Sequence, residues 1–292
     1  MKKKLYLYAI LILLSLLGLL LLSYPIVSNY YMARHQSQVL SQYEEAVESR
    51  AKTGLEADRA IAQRYNLELS AGSLVDFTTT DGIAYTDILN AAQNGVMGYV
   101  EIPDIQVLLP IYHGTGDDVL ANGAGHMPNT SFPIGGKSTH AVISAHSAMA
   151  TARMFTDLVQ LREGDRFFIH VLDDELVYEV DRILTVLPSE IQYLSIVPEQ
   201  DFVTLLTCVP YGVNSHRLLV RGHRVEADAP ASPPESQTDD PIKEGASSTW
   251  MSKYWEGIQY GLVIFTVLAL TVLAAIACKK LVNKRKHHEK QN

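Results

Sequence analysis

At 292 residues, with 47% hydrophobic content, the chain is long enough for one sizeable domain or two small ones. Its formal charge is −8, from 32 acidic against 24 basic residues. Nine of those basic residues lie in the two terminal stretches, so the part between is strongly acidic. Such a surface excludes a nucleic-acid-binding role, which needs a basic face.

Residues 1–4 carry Lys2, Lys3 and Lys4, and residues 5–27 form an uncharged apolar run, LYLYAILILLSLLGLLLLSYPIV. A run of this length can cross a bilayer as a helix. Leu-Ser-Tyr-Pro is a poor match to a small-residue cleavage site, which favours a retained anchor over a signal peptide. Residues 257–278 form a second uncharged run, and residues 279–292 are a basic tail with Lys279, Lys280, Lys284, Arg285 and Lys286. Positive flanks stay cytoplasmic. The expectation is a two-pass cell-membrane protein with both termini cytoplasmic and one extracellular domain between them.

Residues 28–68 are polar and helix-compatible, with no proline, and predict one or two amphipathic helices forming a stalk. Residues 69–90 contain SAGSLVDFTTTDG, a break rich in Gly, Thr and Asp that predicts a loop lying over something else. From residue 91 to 225 short runs rich in Val, Ile, Leu, Tyr and Thr alternate with turn residues. These runs are 98–102, 107–112, 140–144, 166–171, 176–180, 202–207 and 217–220. They predict a mostly β domain, a barrel or sandwich. TARMFTDLVQLRE, residues 151–163, predicts a helix with Met154, Phe155, Leu158 and Leu161 on one face. Residues 226–249 are Pro-, Ser- and acid-rich and predict a disordered linker.

Of the two cysteines, Cys278 sits at the edge of the second apolar run and fits a small apolar role there. Cys208 is then alone in the outer domain, where an unpaired cysteine is either a catalytic thiol or a buried inert one. It ends the apolar run Phe202–Thr207 and precedes the turn signal Val209-Pro210-Tyr211-Gly212, so it lies at the lip of a strand. A thiol nucleophile needs a histidine to exchange protons and a cation to stabilise an oxyanion. Arg217 lies across the turn from Cys208, and Arg221 is its competitor on the same strand face. His146 and His140 sit at opposite ends of one apolar strand, and residue patterning does not choose between them. No cluster has zinc-ligand spacing, and no phosphate-binding, dinucleotide or serine-hydrolase motif is present. Neither a metal nor a cofactor is expected.

The segment TCVPYGVNSHRLLVRG, residues 207–222, resembles the active-site strand of sortases, and of the class C, pilus-assembling branch most closely. Gly98–Pro103, Leu109–Tyr112, STHAVISAH at residues 138–146, and Phe155-Thr156-Asp157-Leu158 agree with that branch and follow in the same order. The resemblance covers roughly residues 95–225. It implies a closed eight-stranded β-barrel with short helices, with an N-terminal helical segment and a transmembrane helix at each end. It assigns the nucleophile to Cys208, the acid/base to His146 rather than His140, and the oxyanion-stabilising arginine to Arg217 rather than Arg221.

The resemblance also implies cleavage of an LPxTG-like sorting signal through a thioacyl-enzyme. Substrates would be pilins or surface proteins with C-terminal sorting signals, and the acceptor a lysine amine of another pilin. Class C enzymes usually carry an Asp-Pro-aromatic lid, for which the best counterpart here is Asp76-Phe77, without the proline. Where the family often has Gly-His-Arg-Gly, this chain has Ala145-His146-Ser147-Ala148. The other readings are a sortase that anchors surface proteins to cell-wall peptide, a secreted thiol hydrolase, and a non-enzymatic membrane-tethered adhesin or scaffold.

Overall fold

The computed structural model describes residues 2–72, 79–80, 82–147, 149 and 152–226. Asp76, Phe77, the linker and the second apolar run lie outside the described residues. Two helices lead: α1 (Lys2–Ser49) and α2 (Lys52–Ser70). The apolar run and the first part of the expected stalk are therefore one continuous helix. Among the described residues it is the one helix long and apolar enough to cross a membrane.

After the minimal hairpin β1 (Thr79–Thr80) and β2 (Ile83–Ala84) come β3 (Val96–Ile102), β4 (Val107–His113), a single helical turn α3 (Asp117–Leu120) and β5 (Ala124–His126). Then follow β6 (Thr139–Ser144), β7 (Arg166–Val171), β8 (Asp174–Val186), β9 (Asp201–Val209) and β10 (His216–Val225). Strands β3 to β10 close into an eight-stranded barrel in the order β10-β8-β7-β3-β4-β5-β6-β9. β4 and β5 pair in parallel, as do β6 and β9; the other neighbours are antiparallel.

Period-2 alternation sorts the side chains. On β6, β9 and β10, Ala141, Ile143, Val203, Leu205, Leu218 and Val220 fill the barrel interior. Val142, Leu206 and Leu219 point the other way and form a small buried apolar patch with Val186 of β8 on the outer side of the barrel wall.

The helices do not stand clear of the barrel as a stalk would. Tyr43 of α1 is buried, and its hydroxyl donates to Met97 O and accepts from Leu172 N. Asn66 of α2 is a buried clasp, donating to Phe132 O (3.1 Å) and accepting from Phe132 N (2.7 Å). Leu55, Ala62 and Tyr65 join the same core.

The expected helix over 151–163 is corrected: only a short 3₁₀ helix, Thr156–Gln160, forms there. Met154, Phe155, Leu158 and Leu161 are all buried, as their pattern requires. However, Met154 takes a left-handed φ of 44°, which breaks a helix before it can propagate. Strand β5 was not foreseen. Its Ala-Gly-His sequence lacks β-branched residues, and Gly125 is needed because a Cβ there would come within 2.2 Å of Gly114 O.

Candidate active site

Cys208 is the penultimate residue of β9, and Arg217 is the second of β10. The antiparallel register pairs them directly across the hairpin. Directly opposed residues have Cβ atoms about 5 Å apart on the same face. Cys208 continues the outward face of Leu206, and Arg217 that of Leu219. The turn Pro210–Ser215 joins them, with Val213 N and Asn214 N both donating to Pro210 O. The Arg217 guanidinium donates to Asn214 O and to His216 O, each at 3.1 Å.

His146 arrives from β6. The parallel register pairs Ser144 with Leu206, and two residues further on His146 comes level with Cys208. Three hydrogen bonds continue this zipper past the end of β6. Ala145 N donates to Leu206 O, Thr207 Oγ1 donates to Ala145 O, and Ser147 Oγ donates to Cys208 O at 2.5 Å. On its other side, His146 O accepts from Phe155 N (3.0 Å). Cys208, His146 and Arg217 are all half-buried, and Cys208 is a free thiol. They share one end of the outer face, beside the apolar patch. Tyr193 and Leu194 from the 3₁₀ helix Ile191–Leu194 flank that patch, with Met127 and Leu184.

The two competitors are occupied elsewhere. His140 is buried at the far end of β6, with Nδ1 at 2.9 Å from Ser195 O and Nε2 at 2.7 Å from Thr204 Oγ1. Burial lowers its pKa, so it is a neutral brace for the β8–β9 connection. Arg221 makes a two-pronged ion pair with Asp181, at 2.9 and 2.7 Å, and its guanidinium lies 4.1 Å from the centroid of the Phe202 ring. Both ends of its side chain chemistry are thus engaged in packing. Sequence reasoning did not single out Ser147 and Thr207. A hydroxyl beside each candidate residue is a faint signal until the β6–β9 register is known.

The described residues bordering the expected lid are firmly held. Tyr85 stacks on Phe132, and its hydroxyl lies 2.7 Å from His126 Nδ1. His113 Nε2 lies 2.7 Å from Ile88 O.

A lone thiol facing outward at the end of a barrel strand, with an arginine opposite it and a histidine entering level with it, fits cysteine acyl-transfer chemistry. Comparison with known proteins agrees. The family model described as the sortase domain matches residues 100–225. Sortase C1 of Streptococcus agalactiae is 38% identical, with a TM-score of 0.62, covering 65% of this chain and 100% of that one. Sortase C of Clostridium perfringens, solved with the C-terminal cell wall sorting motif, is 39% identical, with a TM-score of 0.57. That match covers 65% of this chain and 99% of that one. Among curated proteins, sortase A of Streptococcus agalactiae is 28% identical over 140 residues, 46% of this chain and 56% of that protein. Sortase A of Bacillus anthracis is 25% identical over 169 residues, 57% of this chain and 79% of that protein. The chain belongs to the sortase family, whose members are cysteine transpeptidases, and its structural neighbours are class C enzymes.

Proposed function

We propose that the chain joins pilin subunits, with Cys208 as nucleophile, His146 as acid/base and Arg217 as the oxyanion-stabilising or substrate-orienting group. The observation that carries this reading is the register: Cys208 faces Arg217 across one hairpin while His146 comes level with Cys208 from the neighbouring strand.

In this reading the Cys208 thiolate attacks the Thr carbonyl carbon of the Thr–Gly bond in an LPxTG-like signal. Arg217 stabilises the oxyanion of the tetrahedral intermediate. The C–N bond breaks as His146 gives its proton to the leaving Gly amine. The acyl group then sits on sulfur as a thioester. A lysine amine of another pilin attacks that carbonyl, His146 takes its proton, and the C–S bond breaks to restore the thiolate. Asp76 and Phe77 would belong to a segment covering the site. The second apolar run, 257–278, would give a two-pass topology with the barrel outside the cell. The class C neighbours support pilin as substrate, one of them solved in work on pilin substrate specificity.

The test mixes the protein with a pilin that carries its C-terminal sorting signal, and looks for covalent oligomers on a denaturing gel. A ladder is expected, and it should vanish in the Cys208→Ala variant. The curated sortase A relatives favour a second reading, attachment of surface proteins to cell-wall peptide. Cleaved monomer without a ladder, converted to a conjugate when a peptidoglycan-type amine is added, would select it.

A further inference from the structure

α1 is a single helix, and its uncharged run ends at Val27. Two residues later, Asn29 Oδ1 accepts a hydrogen bond from Arg153 N at 3.2 Å. Seven residues after that, Gln36 Nε2 donates to Asn122 O (3.0 Å) and lies 3.6 Å from Met154 Sδ. Arg153 and Met154 belong to the stretch that returns to His146 through the Phe155 N–H···O=C bond. At about 1.5 Å of rise per residue, Asn29 lies only ~3 Å along the axis from the end of the apolar run.

The zone between bilayer core and water is about 5–8 Å deep on each side. Tyr24, Tyr30 and Tyr31 bracket this point, and all three are exposed on the helix. Amphipathic aromatic rings are enriched at that depth of a membrane. Exposed Arg34 follows them. The helix then continues to Ser49, about 30 Å beyond Asn29, and packs on the barrel along the way through Gln36, Tyr43 and Val47. The barrel is therefore not carried on a spacer, because its contact with α1 begins where the apolar run stops.

We propose that the surface formed by half-buried Arg153 and neighbouring Met149 rests in the lipid headgroup layer of the membrane that α1 spans, so that the end of the barrel bearing His146, Cys208 and Arg217 faces that membrane. The inference rests on reading α1 as a membrane anchor. The partner is a lipid surface held by covalent continuity with α1. It is not selected by charge, since the outer domain is acidic. The opposite end of β6 and β9, at Lys137 and Glu199, points away from the bilayer. From Thr139 to His146 the chain covers about 20 Å or more at strand rise. An acyl donor tethered in the same membrane then presents its cleavage site to Cys208 at the depth where its own chain emerges.

The experiment uses the full chain, carrying C208A and C278S, in phosphatidylcholine vesicles. Single cysteines at Val27, Met149, Arg153 and Lys137 carry a nitroxide. Relaxation is read with a nickel chelate on a small fraction of lipid headgroups, and with dissolved oxygen. The expected result is several-fold stronger nickel relaxation at Met149 and Arg153 than at Lys137, with Val27 responding mainly to oxygen. Equal nickel relaxation at Met149, Arg153 and Lys137, with Val27 still in lipid, overturns the inference and leaves the anchor standing. A Val27 label out of reach of lipid overturns the anchor reading, and the inference with it.

Discussion

Ser147 Oγ donates a 2.5 Å hydrogen bond to the carbonyl oxygen of Cys208, tying the residue after the proposed base to the peptide group of the proposed nucleophile. Ser147 touches no substrate in this reading. It sets the spacing between the two chains just past the last register pair of β6 and β9, Ser144 and Leu206. Ser147→Ala is expected to lower kcat about tenfold through mispositioning, with little change in KM. Ser147→Thr, which keeps the hydroxyl, should recover most of the loss. A thermal midpoint that falls in step with kcat would mean that the bond serves only the fold.

Arg217 is expected to act through its forked guanidinium rather than charge alone. Arg217→Lys should therefore lose nearly as much kcat as Arg217→Ala, on the order of 10²-fold or more. Arg221→Lys should leave kcat close to that of the parent protein. Steady-state rates on a sorting-signal peptide with a lysine-bearing acceptor check both, and equal losses at the two arginines would refute the assignment.

The ion pair between Arg221 and Asp181 belongs to the fold. Its two side chains are about one-fifth exposed, and the guanidinium also covers Phe202. Removing either partner leaves the other poorly solvated, so Arg221→Ala should cost about 1–3 kcal/mol. A double-mutant cycle with Asp181→Ala, read by denaturant unfolding, should return a coupling of about 1 kcal/mol. A coupling near zero would assign the cost of Arg221→Ala to its packing on Phe202.

Acid should loosen the barrel through His126. Burial lowers its pKa to about 4, and it stays neutral against Tyr85 and Ser131 O. In the unfolded chain the same group titrates near 6.5. The folded pKa is depressed, so the stabilisation is complete above about 6.5 and is lost as pH falls through the window down to about 4, amounting to about 3 kcal/mol. His113 and His140, both lowered by burial, add in the same direction. His126→Gln should be less stable at pH 7 and lose less on acidification. An unchanged pH slope in that variant would assign the acid sensitivity to other groups.

Seven of the eight barrel strands were legible from runs of β-branched and apolar residues, because alternation and turn residues mark them locally. β5 was hidden because its place between β4 and β6 depends on Gly125 rather than on any propensity. The apolar stripe at Met154, Phe155, Leu158 and Leu161 reported burial correctly and conformation wrongly. Periodicity records which side chains go inside, whereas here the backbone path is set by the return of Phe155 N to His146 O. At the site, the position of Cys208 at a strand's lip was legible, but two histidines and two arginines competed. The structure gives the reason they differ: His140 and Arg221 have their polar atoms taken by Ser195, Thr204 and Asp181.

The mixed direction of the strands around Cys208 also has a consequence for the order of assembly. β9 and β10 are joined by a six-residue turn, so the thiol and its facing arginine meet through local contacts that form within microseconds. The β6–β9 pairing is parallel and joins residues 62 apart in sequence, such as Thr139 and Asp201. Pairings of that kind wait on the entropy of closing a long loop and come late. In the proposed mechanism, a chain emerging from the membrane therefore holds the proposed nucleophile without the proposed base until the barrel is nearly closed, which would delay reactivity until folding is almost complete.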